Sequence, residues 1–310
     1  MKPLEDAFSS AGFRRVILPG VILTIGIHPL IGSGGKLVLA AYGIVDTVVL
    51  LVAEIIVLGL IISSCINWIY YVYEGFALSW LTAIAGFWNR KYLAAIEKKY
   101  NSILNGRRFD ELSRDEKIQA SLVHEKLLDF PLESVGGMPT RLCVRPTRLG
   151  NIIATYEQYS MSRYGVDGVY YWFHYLALAP EQITKQFDEQ YAFAESLVLT
   201  SFAGAIVAIV NSWLLIGFAI GTISPAVVIA QSSLNTTEAT ALSLFGAIVF
   251  LLFYGLALPA HREVARVFKT VVDLGADKLD KWVIETHAPL EIVAAERIKK
   301  RKRFLNALKQ

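Results

Sequence analysis

Cysteine is scarce in this chain of 310 residues, which has two, Cys65 and Cys143. Two cysteines make no disulfide framework. The topology derived below puts both on the cytoplasmic side, so free thiols are expected. Charge is also thin, at 18% of residues against roughly 25% in a soluble domain. The histidines show no metal-ligand spacing with one another or with the cysteines. There is no His-Glu-x-x-His and no Gly-x-Ser-x-Gly. The stretch GSGGK at 32–36 lacks the spacing of a phosphate loop, and Leu37 stands where Ser or Thr is needed. Convincing strand alternation is missing too. The expectation is therefore a protein that is not an enzyme, binds no metal or cofactor, and carries no nucleic-acid reader module. The start, MKPLEDAFSSAGFRRV, holds Glu5 and Asp6 and lacks a short apolar core before a small-residue cleavage site. No cleavable signal is expected, and the first apolar block should stay in the protein.

What the chain does have is apolar residues in blocks. They make up 54% of it, with a mean hydropathy of +0.45. The longest block, residues 37–63, has two charged side chains, Asp46 and Glu54. About 20 apolar residues cross a bilayer, so this block spans with some tilt. A shorter block, 16–31, is interrupted by Pro19 and Pro29 and reads as a kinked span or a helix that enters and turns. Residues 32–35 then read as a flexible connector. The third block ends a helix of up to about 40 residues that begins near Pro180 and Glu181. The fourth is 241–258, closed by Pro259. Trp68, Tyr70, Tyr71, Tyr73 and Trp80 form an aromatic belt of headgroup-level side chains.

The basic residues set the orientation. Residues 1–15 carry three Lys and Arg, 85–192 carry 14 and 261–310 carry 12, whereas the connectors at 32–36 and 221–240 carry Lys36 alone. With four spans, this places both termini and the insert in the cytoplasm. The expected protein is all-α and polytopic, a multi-pass protein of the cell inner membrane. Its parts are a first transmembrane hairpin (1–84), a helical cytoplasmic domain (85–192), a second hairpin (193–260) and a basic helical tail (261–310), with a break at His287–Pro289. In the insert, Ser113 to Glu116 is a capping box. Thr147 is placed to cap a second helix and Asp167 a third, which ends at Pro180.

Asp46 and Glu54 lie about 80° apart around a helix and about 12 Å along it. Carboxylates in a bilayer face a bundle interior or a watery path, so these two are the candidate ion pathway. The alternatives are an Asp46 close to the outer interface and a Glu54 that is protonated or hydrogen-bonded to another helix. His28 reads as an interfacial hydrogen-bonding residue, and so does Glu195. In the tail, Arg297, Lys299, Lys300, Arg301, Lys302 and Arg303 form a cluster suited to anionic lipid, at about 1 kcal/mol per basic residue near the surface. Small residues at Ser201, Ala203, Gly204, Ala205 and Ala208, and at Gly246, Ala247 and Gly255, allow close helix approach.

One stretch of the insert carries a pattern: Pro146, Thr147, Gly150, Asn151, Glu157, Arg163, Tyr164, Gly165, Asp167 and Trp172. It resembles a family of uncharacterised bacterial integral membrane proteins with Pro-Thr-x-x-Gly-Asn, an acidic residue, then Arg-Tyr-Gly-x-Asp and a tryptophan. The family often continues Trp-Pro-Arg, where this chain has Trp172-Phe173-His174. The resemblance implies no activity. Physically, the motif reads as an internally satisfied polar knot, with Thr147 capping, Gly150 allowing close approach, Arg163 pairing with Glu157 or Asp167, and Gly165 turning the chain. A cytoplasmic ligand pocket is the alternative, with Arg141, Arg145 and Arg148 as phosphate contacts.

Four spans enclose no wide pathway alone, so a pore needs symmetric copies. The expectation is a homo-oligomeric, channel-like protein for cations with a cytoplasmic regulatory domain, in contact with anionic membrane lipid. The rival is a membrane-anchored scaffold that recruits cytoplasmic partners or lipid.

Overall fold

The computed structural model describes residues 10–31, 33–77, 79–131, 133–135, 138–140, 144–220 and 236–286. For 10–12, 29–47, 79–82, 133–140, 218, 277 and 280–286 the description is of the backbone only. Nine α-helices appear among these residues: α1 (Ser10–Ile31), α2 (Ser33–Ser64), α3 (Ile66–Tyr73), α4 (Ser79–Leu104), α5 (Arg114–Leu127), α6 (Arg148–Tyr164), α7 (Trp172–Leu178), α8 (Glu181–Ile220) and α9 (Thr236–Thr286). A small antiparallel ladder, β1 (Glu133–Val135) with β2 (Met138–Thr140), pairs Glu133 with Thr140 and Val135 with Met138. Three-residue strands leave no alternation for a sequence reading to find.

The chain divides into two compact units, Met1–Tyr70 with Glu189–Ala260, and Tyr71–Asp188 with His261–Gln310. The first is the apolar one. Two helical stretches are long and apolar enough to cross a membrane, Glu181–Gly217 and Thr236–Ala276, and a third is counted if the bent pair Val48–Ser64 and Ile66–Tyr73 is one span. The protein is thus a helical membrane protein. The bend is 58° and sits where Ser64 Oγ donates back to the carbonyls of Leu60 (2.9 Å) and Ile61 (2.8 Å). A serine that competes in this way for backbone acceptors bends a helix.

Three expectations of helix breaks are corrected. Helix α1 continues through Pro19 and Pro29. Helix α2 begins at Ser33, inside the expected connector. Helix α9 runs 51 residues through Pro259 instead of closing there. The physical reason is shared: hydrocarbon offers backbone groups no water, so a helix persists through residues that would end it in solution. At Pro259 the carbonyl that loses its donor belongs to Gly255, which has nothing within 4 Å of where a Cβ would stand and so has room to tilt.

The apolar unit is built on close approaches. Helices α1 and α2 run antiparallel, with Gly20 against the Ile55 backbone and Gly59 against Val16. Helices α8 and α9 do the same at Gly204 and Gly246. A Cβ on Gly246 would lie 2.5 Å from the Ala208 nitrogen and 2.7 Å from the Gly204 carbonyl oxygen. Serines stitch the pair together: Ser201 Oγ donates to the Phe250 carbonyl at 3.1 Å, and the Ser212 and Ser243 hydroxyls meet at 2.7 Å. Glycine lets two backbones touch where lipid supplies no hydrophobic drive. Outward, Val48–Val52, Ile209, Trp213, Ile216, Ile248 and Leu251 remain exposed.

In the second unit, α4 and α5 pack through Leu93, Ile96, Val123 and Phe130. The capping box forms as the sequence requires. Glu116 N–H donates to Ser113 Oγ, and Ser113 N–H donates to Glu116 Oε2 at 2.9 Å. Arg107 donates to the same carboxylate at 2.6 Å. Its hydrogen bond, with those from Ser113, holds the Glu116 carboxyl down at about 2. Beyond α5, the carboxylate of buried Asp129 takes a two-pronged pair from Arg262 of α9, at 2.7 and 2.6 Å. Trp172 stacks on Phe268 with ring centres 4.5 Å apart, and Tyr175 is fully buried beneath Gly275.

The two glycines of α9 give opposite predictions. Gly246→Leu should lower stability in detergent by about 1–3 kcal/mol or more, since the new side chain enters backbone. Gly255→Ala should raise it by up to about 1 kcal/mol, since it adds helix propensity in open space. Thermal unfolding of the two purified variants beside wild type checks both signs.

Candidate functional site

Two constellations of polar side chains stand out, one in each unit. In the apolar unit, His28 Nδ1 of α1 and Glu54 Oε2 of α2 share a hydrogen bond of 2.8 Å. The side chains are 45% and 21% exposed, so the pair is partly sheltered. The other carboxylate oxygen, Oε1, is buried with no partner among the described residues. Glu54 is therefore hydrogen-bonded to another helix, one of the alternatives the sequence left open. The imidazole as partner had no sequence signal, because nothing periodic links positions 26 residues apart. The Asp46 side chain lies outside the described residues.

Four further polar side chains belong to this unit. Arg15 pairs with Glu195 of α8. Asn211, fully buried, donates from Nδ2 to the Val207 carbonyl at 2.8 Å and to the Gly26 carbonyl at 3.3 Å. Its Oδ1, like Thr24 Oγ1, is buried without a partner among the described residues.

The second constellation is the motif at 146–167. Thr147 opens α6: the Gly150 N–H donates to its Oγ1 at 2.9 Å, and the hydroxyl also donates to the Tyr73 carbonyl. Asn151, fully buried, accepts from the Arg145 N–H at 2.6 Å. It donates to the carbonyls of Arg145 (2.9 Å) and Thr147 (2.7 Å). The Pro146 carbonyl accepts from Asn89. Gly150 is required: a Cβ there would come 2.9 Å from Glu74 Cα. Gly165 ends α6 in the left-handed conformation, φ 70° and ψ 22°. Pro146, Thr147, Gly150 and Asn151 thus form one knot at the start of α6.

The far end of α6 forms a second knot. Arg163 pairs with Asp273 of α9 at 3.7 Å and donates to the Tyr159 hydroxyl at 2.7 Å. Asp273 also accepts from the hydroxyls of Tyr159 (2.8 Å) and Tyr164 (2.6 Å). Burial, with the Asp273 hydrogen bond and charge, pushes the Tyr159 hydroxyl up. Asp273 was invisible to the sequence reading, since it lies in a helix more than a hundred residues away. Asp167 does not cap α7. Its Oδ1 accepts from the N–H groups of Val169 and Tyr170, both at 3.0 Å, so it caps a turn, and α7 begins later, at Trp172.

Between the knots sits Glu157. Burial, then the negative charges of Glu74 and Asp167, push its carboxyl up to about 7 against the pull of Arg145. Arg145 itself holds Glu74 at 3.5 Å and lies over the Phe76 ring, 4.3 Å from its centre.

The basic tail cluster at 297–303, Cys143 and Arg141 lie outside the described residues. Among those described, no group of three or more His, Cys, Asp and Glu could hold a metal ion. Comparison with protein-family models, with curated proteins and with solved structures finds no match.

Glu157 sets a pH dependence whose sign can be worked out. The folded value is raised from the ordinary 4.5 to about 7, so the folded state binds the extra proton. Stability is highest below pH 4.5 as far as this group is concerned, falls from there to about pH 7, and stays reduced above it. The full loss is at most about 3 kcal/mol. Glu157→Gln should flatten that stretch of the curve and stabilise the protein at pH 8. Denaturation midpoints at pH 5 and 8 check it, and an unchanged difference between the two would refute the assignment.

Proposed function

We propose that the chain is a channel-like membrane protein in which Glu54 and His28 handle the permeating cation or proton, with the 71–188 unit regulating it. The observation that carries this reading is the 2.8 Å imidazole–carboxylate contact with the second carboxylate oxygen left without a partner. An ionisable pair in an apolar unit is costly unless it serves a path. A carboxylate with one oxygen free keeps a lone pair for a cation. In this reading α1, α2, α8 and α9 give four spans, both termini and the 71–188 unit are cytoplasmic, and the membrane is the cell inner membrane. Four spans need copies around an axis to enclose a pore. The exposed apolar residues of α2, α8 and α9 supply faces for those copies and for lipid. Catalysis, cofactors and nucleic acid have no part in this reading.

A second reading, a membrane-anchored interaction protein, is favoured by one observation. Outside the apolar unit, Val169, Tyr170 and Phe173 stand 55%, 76% and 80% exposed beside the motif. Exposed aromatics grouped in this way mark contact surfaces. This reading predicts that a partner cross-linked to full-length protein in membranes is lost in Phe173→Ser.

The deciding measurement is cation flux into liposomes carrying the purified protein. Glu54→Gln should cut flux by at least about tenfold, the effect of roughly 1.4 kcal/mol at the limiting barrier. His28→Gln should also lower flux, since it removes the imidazole that holds the carboxylate. Wild-type flux from Glu54→Gln removes the pair from the pathway.

A further inference from the structure

The start of α4 and the segment before α6 enclose a cleft of about 410 Å³, lined by Glu74, Phe76, Arg90, Arg145 and Gln158. Its walls are fixed. Gly75 has φ +87°, and a Cβ there would strike the Pro146 ring at 2.3 Å. Asn151 clamps both backbone groups of Arg145. The charge in the cleft is unbalanced. Arg145 has a long 3.5 Å contact to Glu74. Arg90 is exposed and has no partner among the described residues. Two guanidinium groups around an open cleft suit an oxyanion, because their planar forks match phosphate geometry.

The neighbouring face of α4 says where that oxyanion comes from. Ala83, Gly86 and Arg90 face the cleft. Ile84, Phe87 and Trp88, at helical spacing beside them, are 55%, 56% and 61% exposed. Lys91 reaches back over the Trp88 ring, 5.5 Å from its centre. An apolar strip with an aromatic ring and a snorkelling lysine is the composition of a helix lying at a membrane surface. The strip begins at Ile84, eleven residues after the bent apolar pair ends at Tyr73.

We infer that this cleft binds the phosphate of an anionic phospholipid, with Arg90 and Arg145 on the headgroup and Ile84, Phe87 and Trp88 against its acyl chains. The site belongs to the other unit and shares no residue with the Glu54–His28 pair, so flux and lipid retention can fail separately. Native mass spectrometry of the full-length protein in an uncharged detergent doped with phosphatidylglycerol tests it. Wild type should retain phosphatidylglycerol over phosphatidylcholine. Arg90→Ala should weaken retention about tenfold, the loss of one charge-assisted contact. Arg114→Ala, which removes an exposed arginine elsewhere, should leave it unchanged. Phe87→Ser with Trp88→Ser should weaken it too, and inorganic phosphate in excess should not displace the lipid. Two results would overturn the inference. One is retention by Arg90→Ala equal to wild type. The other is displacement of the lipid by inorganic phosphate, which would make the ligand a soluble oxyanion.

Discussion

The rest of the structure depends on one constraint: inside hydrocarbon, a polar group without a partner has no water to fall back on. That constraint carries α1 through two prolines and α9 through Pro259. It makes serine hydroxyls donate to carbonyls on a facing helix at Ser201, and at Ser64 back into its own helix. It also makes glycine the economical contact residue. Lipid is as apolar as leucine, so burying leucine gains little there. Bringing two backbones together at Gly204 and Gly246 gains dispersion and allows the serine bonds to close.

The second unit solves a different problem by the same means. Its chain between α5 and α6 needs a fixed end before a helix can start, and one fully buried asparagine supplies it. Asn151 satisfies an N–H and two carbonyls. A buried amide with most of its capacity used rigidifies what it touches, whereas one left half-used would destabilise it. The residues fixed in this way include Arg145, whose side chain is therefore presented from a set backbone. The polar knot and the cleft are thus two consequences of one anchor. The motif's residue choices follow as well: asparagine for the clamp, threonine for the cap, and glycine where Glu74 comes close.

Local chemistry was legible in the sequence, and long-range pairing was not. The box of Ser113 and Glu116, the cap at Thr147, the turn at Gly165 and the 40-residue length of α8 all rest on rules spanning a few residues. Those rules act before tertiary structure and survive it. The misreadings at Pro19, Pro29, Pro259 and Ser33 came from applying solution rules for helix ends to a helix in an apolar setting. Asp167 was placed in the right role, as a cap, on the wrong element. His28 with Glu54 and Arg163 with Asp273 pair across helices, where no period in the sequence points from one to the other. A histidine alone and an aspartate alone look ordinary, and their meaning appears only once the helices are set side by side.

Glu54 and Asn151 differ in how far their polar groups are satisfied. Asn151 is spent: its amide and carbonyl are both engaged, and a side chain so engaged has nothing left to offer a ligand. Glu54 has one oxygen on His28 and one on nothing among the described residues. If the pair served only to hold α1 on α2, a neutral hydrogen-bonding pair such as Ser212 with Ser243 would do so without the desolvation cost of a carboxylate. The same logic applies to Arg90 beside Arg145. One is held by Glu74 and Phe76, while the other is exposed and has no partner among the described residues. In both units a charged residue keeps bonding capacity among the described residues: one carboxylate oxygen of Glu54, and the guanidinium of Arg90. That capacity is what the proposed cation path and the proposed lipid site would each draw on.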